Sequence, residues 1–329
     1  MQAYRICGIE GLKLKENDRS IIYADFILTE GRDIVSNCFS DPAFSKIIGS
    51  YNLKRIVSNP YFFSTDQYQE NTDFFEVTNK GISMTQELIT FLWFVKDNSC
   101  NASKIFTYVP ELNGSVVSIE KPTNFSNCHA SYSDVEFSSE EILKAAEILY
   151  TAHQLSSANK HVDINSFFKV NKVNAGLATS PALQIKYSLR NRVERAILFL
   201  ITARAAGFIP MKIALYMNIL ECLFSDTSQG DIIHKISERV AFYIGESFNE
   251  RIGIFKKIKE AYVLRSKYFH GQKLDHKIYN DVTLPELATD IDNLMRSVLI
   301  KVIMVNHKEF TASDENIGIW FNKMIFDRN

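Results

Sequence analysis

The sequence predicts an α+β N-terminal domain followed by an all-α helical bundle, and three observations predict it. Short runs of β-branched and aromatic residues bounded by turn residues, the mark of strands, occupy the first 135 residues. From residue 136 onward apolar residues recur at helical spacing behind capping residues. A chain of 329 residues is also long enough to bury two cores.

In the first half, residues 19–28 (RSIIYADFIL), 103–109 (SKIFTYV) and 115–119 (SVVSI) read as strands, and 84–95 (MTQELITFLWFV) as a buried helix. Between 111 and 139 the chain turns polar, with Asn113-Gly114 and Pro122, so the domain boundary is placed there, giving domains 1–135 and 136–329. Ser138 or Ser139 then caps a helix, with Glu141 completing a capping box ahead of Ile142, Leu143, Ala146 and Leu149. Residues 159–180 are less regular. Five helices follow, at roughly 183–206, 210–225, 230–245, 248–270 and 284–307. Gly207 and Pro210 separate the first two, Asp231 and Asn249 read as caps, and Gly245 and Gly271 as stops.

Composition is that of a globular chain, 46% hydrophobic and 23% charged. The longest apolar stretch, 198–223, is interrupted by Arg204, Pro210 and Lys212, so no membrane span is expected. Arg5, Glu10 and Lys13 interrupt the N-terminus where a signal peptide needs an apolar run, so secretion is not expected either. The five cysteines (Cys7, Cys38, Cys100, Cys128, Cys222) are scattered without a CxxC pair, which reads as reduced thiols in a cytoplasmic protein. His270, Asp275 and His276 straddle a glycine turn without helical i, i+4 pairing, so neither a metal nor another cofactor is expected. Net charge is -1, yet residues 186–277 hold 16 Lys or Arg against 9 Asp or Glu. Two readings fit that excess: an anionic partner for the helical half, or acidic and basic halves that complement each other.

The segment 260–271 (EAYVLRSKYFHG) is an R-x4-H motif at the end of a helix, with His270 the last residue before a stop glycine. The spacing alone is common. Its setting is less so: the blocks RVERAILFL (192–200), KIALYMNILECLFS (212–225), HKISERVAFYIG (234–245) and FKKIKEAYVLRSKYFHG (255–271) occur in order. Together they resemble the Apea-like HEPN family. The resemblance covers the helical half alone. It implies a helical bundle that pairs with a second copy, so that two R-x4-H segments line one cleft, and an activity as a ribonuclease in toxin or antiphage defence. The partners it implies are RNA, tRNA among the candidates, together with an antitoxin or a phage-derived trigger. HEPN relatives that bind without cutting leave a second reading open, a non-catalytic RNA-binding or scaffold dimer.

The residues suit metal-free RNA cleavage. Such chemistry activates the ribose 2′-hydroxyl, protonates the leaving 5′-oxygen and offsets charge on the phosphorane, leaving a 2′,3′-cyclic phosphate. Imidazole exchanges protons near neutrality, so His270 is the expected acid or base. A guanidinium stays charged and grips phosphate bidentately, so Arg265 is the expected clamp. Five residues along a helix amount to about 140° of rotation, which splays the two on one helix and calls for a facing helix. Ser266 and Tyr268 are expected to help by hydrogen bonding. Glu221, a carboxylate in an otherwise apolar helix, should meet a cation, Arg265 or Arg239. His234, Lys235, Lys256, Lys257, Lys259 and Lys267 are candidate RNA contacts, with a plainly solvated face as the alternative for each.

Overall fold

A computed structural model describes residues 1–15, 20–31, 33–157, 190–226 and 231–327. The expected irregular stretch 159–180 lies outside the described residues, as does most of what precedes Asn191 in the helix expected from 183. The chain forms an N-terminal region built on β-sheet, then a run of helices. It divides into two compact units, one holding Met1–Phe125 and Tyr132–Tyr150, the other Ser126–Ser131, residues 151–157 and the described residues from 190 onward.

In the first unit β1 (Gln2–Gly8), β3 (Ser20–Tyr23), β4 (Phe26–Thr29), β5 (Tyr61–Gln67), β6 (Lys104–Val109) and β7 (Ser115–Glu120) make an antiparallel sheet in the order β3-β4-β5-β1-β6-β7. Short β2 (Leu12–Leu14) pairs in parallel with β8 (Val135–Phe137). The run 19–28, expected as one strand, folds as the β3-β4 hairpin, its turn made by Ala24 at φ 50°. Alternation along β1 gives each sheet face a core. Ile6 joins Phe39, just after α1 (Asp33–Cys38), and Phe44 and Ile48 of α2 (Pro42–Val57), while Ala3 packs with Phe74 of α3 (Phe74–Leu92). The helix expected at 84–95 is the second half of α3, which begins behind the Asp73 cap. Gly81 of α3 packs closely on the sheet: a Cβ there would sit 2.8 Å from Ile105 Cδ1, the end of a side chain that would have to shift. Arg5 is buried below it, paired to Asp66 at 2.5 Å and stacked over Phe26. The capping box expected ahead of α4 (Ser139–Ser157) is present: Glu141 N–H donates to Ser138 Oγ at 3.2 Å and Ser138 N–H to the Glu141 carboxylate at 2.9 Å.

The second unit holds α5 (Arg192–Ala205), α6 (Ile209–Phe224), α7 (Ile232–Ile244), α8 (Phe248–Phe269), α9 (Thr283–Met304), α10 (His307–Phe310) and α11 (Asp314–Phe326). The last two were not foreseen. α6 packs against α5, α7, α8 and α9, and its Ile213, Met217, Leu220 and Phe224 are fully buried, the expected behaviour of a helix apolar on nearly every side. Asp231 caps α7 as expected, but α8 is capped by Ser247 in a capping box with Glu250, not by Asn249, which lies inside the helix.

Helix ends in this unit are closed by cations from neighbouring elements. Lys212, 1% exposed near the start of α6, donates to the carbonyls of Ala203 (2.9 Å) and Arg204 (3.2 Å) at the end of α5 and to that of Ser126 (3.2 Å). Arg192, at the start of α5, returns the service to Cys222, Leu223 and Ser225 at the end of α6, and pairs with Asp314. Arg239 donates to Phe224 O and Asp226, Arg251 to Gly245 O, and Lys301 to Tyr243 O. The last carbonyls of a helix lack intrahelical donors and carry partial negative charge, so each cation is well placed. Part of the basic excess of residues 186–277 is therefore used inside the fold.

Candidate active site in the helical unit

The motif lies at the end of α8, and that end has a defined geometry. His270 caps the helix at φ -86° and Gly271 follows at φ +64°. Gly271 N–H then reaches Tyr268 O at 3.1 Å and Gln272 N–H reaches Lys267 O at 2.8 Å. That is a Schellman closure, which requires the left-handed backbone glycine adopts without a Cβ penalty. The expected stop at Gly271 thus fixes the backbone of His270.

Arg265 faces α6. Its Nε and Nη2 donate to Asn218 Oδ1 at 3.3 and 3.1 Å, and Nη2 also meets Glu221 Oε2 at 3.1 Å. Asn218 and Glu221 are three apart on α6 and so share the face that meets α8. Tyr262 and Phe269, one turn before and after on α8, place rings 5.9 and 5.5 Å from the guanidinium carbon. With 29% of its side chain exposed, Arg265 is oriented from several sides yet still reachable. Glu221 therefore meets Arg265 rather than Arg239, which is occupied with Asp226 at 2.6 Å and stacked over Phe321. Burial raises the Glu221 carboxyl above its ordinary value, opposed by the Arg265 charge. The Tyr262 hydroxyl is pushed up, first by burial and then by the adjacent Glu221 charge.

Arg265 stands on the wall of an open cleft of about 440 Å³ lined also by Arg192, Arg195, Phe199, Asn218, Glu221 and Asp314. His270 does not line it. The imidazole is exposed on the outward side of α8, and no hydrogen bond to its side chain forms among the described residues. The two key groups are thus splayed as the helical angle requires. Ser266 is exposed beside His270, and Tyr268 is half-buried with its ring 5.8 Å from Phe208.

The expected RNA contacts are scattered rather than gathered. Lys257 is paired to Asp290, Lys259 lies over Phe255 at 5.2 Å, and Lys267 over Tyr279 at 5.8 Å. Lys256 is exposed, and His234 stands edge-on to Phe255 at the start of α7, next to the half-buried Lys235. Sequence reasoning did not single out Asn218, Arg192, Arg195 or Phe199. For Asn218 a signal existed: it is a second polar residue one turn before Glu221 in an apolar helix. Among the described residues no group of three His, Cys, Asp or Glu is placed to hold a metal ion, and no helix is long and apolar enough to cross a membrane. No family model matches the chain, and neither the curated proteins nor the solved structures contain a match to it.

Proposed function

We propose that the protein is a metal-independent RNA endonuclease of the HEPN type that acts as a homodimer, in toxin or antiphage defence. The observation that carries this reading is the unequal treatment of its two key groups. Arg265 is held in place by Asn218, Glu221 and two rings, whereas His270, backbone-fixed by the Gly271 closure, presents to solvent an imidazole that no side-chain hydrogen bond engages among the described residues. A clamp needs a fixed direction, and a proton carrier needs access. In the proposed reaction His270 takes the 2′-hydroxyl proton, the 2′-oxygen bonds to phosphorus, and the bond from phosphorus to the 5′-oxygen breaks. The imidazole of a second copy protonates that oxygen, and Arg265 offsets charge on the phosphorane.

The outward side of α8 favours pairing with a second copy. Ile252 and Val263, 39% and 49% exposed, share an angular position with His270 on that side of the helix. RNA, tRNA among the candidates, is the proposed substrate, with an antitoxin or a phage-derived trigger as a regulatory partner and the N-terminal unit as sensor or restraint. Replacing His270 or Arg265 by Ala should abolish RNA cleavage in EDTA while the folded dimer persists. Cleavage surviving in the double variant refutes the site.

One observation favours a second reading, a non-catalytic RNA-binding or scaffold dimer: Arg265 is already satisfied within its own chain. On that reading His270→Ala binds RNA as the parent does, and the parent cuts nothing.

A further inference from the structure

Around the axis of α8, Arg265 and His270 stand about 140° apart, and a strand that meets both on one helix crosses the arc between them. At about 100° per residue, the last turn places two residues on that arc, Ser266 and Phe269, with Phe269 about 40° from Arg265. Phe269 is 54% exposed, an open ring between the expected clamp and the expected proton carrier. A single exposed phenylalanine is ordinary on a protein surface, but this one is braced. The Arg265 guanidinium carbon lies 5.5 Å from its centroid, and the Tyr268 ring meets it at 5.6 Å and 59°. Tyr268 rests in turn against Phe208 at 5.8 Å.

The charge beside the ring favours a nucleotide over an apolar partner. Arg265 donates through Nε and Nη2 to Asn218 and Glu221, and among the described residues Nη1 carries no such bond, so that end of the guanidinium is left to a phosphate. An apolar protein surface seated on Phe269 would instead shut Arg265, now 29% exposed, away from water. A nucleotide brings a flat base to the ring and its own phosphate to the adjacent cation. A paired base keeps both faces stacked on its neighbours, so Phe269 reaches only an unpaired one.

We infer that Phe269 stacks on an unpaired base whose phosphate Arg265 grips, making single-stranded RNA the substrate class. The inference rests on the RNA-directed reading above, and its test separates the two. The full-length His270→Ala protein is titrated with a short unstructured RNA that carries fluorescein at one end and 2-aminopurine at one base position at a time. Phe269→Leu and Phe269→Tyr are then added in turn. Anisotropy reads affinity, 2-aminopurine quenching reads stacking, and sedimentation velocity reads the oligomeric state.

Phe269→Leu should weaken binding about five- to thirtyfold, the effect of losing one stacked base, and should remove quenching at one position; Phe269→Tyr should restore both. The duplex of the same sequence should bind more weakly and be indifferent to Phe269. Sedimentation should be the same for all three proteins. A parent that fails to bind the single strand overturns the inference, as does unchanged affinity or quenching in Phe269→Leu, or equal sensitivity with the duplex. A changed oligomeric state in Phe269→Leu places the ring between copies of the chain and overturns it too. RNA cleavage by the unsubstituted protein is scored separately. Its absence beside the expected binding pattern removes the nuclease and leaves the stacking residue standing.

Discussion

Replacing Arg192 by Met tests whether a buried cation holds the end of α6. The side chain is almost buried and donates to the carbonyls of Cys222, Leu223 and Ser225, while its ion-pair partner Asp314 is 60% exposed. Three carbonyls deprived of a donor cost about 1–3 kcal/mol each, and no longer burying a guanidinium returns several kcal/mol, for a net loss of about 3 kcal/mol. At about 2–4 °C per kcal/mol, thermal unfolding followed by circular dichroism should fall by roughly 6–12 °C. Asp314→Asn removes the ion pair and leaves the carbonyl bonds in place. Because that carboxylate is largely in water, the second variant should lose no more than about 1 kcal/mol. Equal losses in the two variants would show that the ion pair, not the closure of α6, is what matters, and the capping argument would fail.

Three further outcomes follow from the same structure. Gly271→Ala forces a Cβ into the left-handed region at φ +64° and should cost about 1–2 kcal/mol, read as a lower urea midpoint; an unchanged midpoint contradicts the helix closure. Burial raises the Glu221 carboxyl, so its protonated form is the one the folded state favours. Stability from this source is complete below the ordinary carboxylate range and is lost as pH rises through the raised value, so Glu221→Gln should gain on the parent across that interval, measured by urea titrations at several pH values. A parent that instead gains on Glu221→Gln with rising pH reverses the assignment. Cys7, buried in β1 with its thiol pushed up to about 12 by that burial, should resist alkylation at pH 8 until the protein unfolds, and prompt labelling of that peptide by mass spectrometry would contradict it.

What the sequence discloses and what it conceals follow from range. Ser138 with Glu141, Asp231 and Gly271 act on backbone groups a few residues away, so their roles could be read from the chain. The β3-β4 turn could not, because Ala24 and Asp25 interrupt the apolar run 19–28 without a glycine. Asn249 has the chemistry of a cap, but Ser247 with Glu250 two positions earlier has a reciprocal partner and takes that role. At the site, Glu221 stood out because a carboxylate in an apolar helix needs a partner. Arg192, Arg195 and Phe199 did not, since only tertiary packing brings α5 to the wall that Arg265 shares. The basic excess of the helical half shows the same limit, because a cation closing a helix end and a cation awaiting a phosphate look identical in a sequence.

Attack by the 2′-hydroxyl leaves its mark on the ends of the products. Incubated with total RNA and with tRNA in EDTA, the protein should yield fragments ending in 2′,3′-cyclic phosphate and beginning with 5′-hydroxyl, and His270→Ala should yield none. Fragments carrying 3′-hydroxyl and 5′-phosphate ends, or the same fragments from His270→Ala, would contradict it.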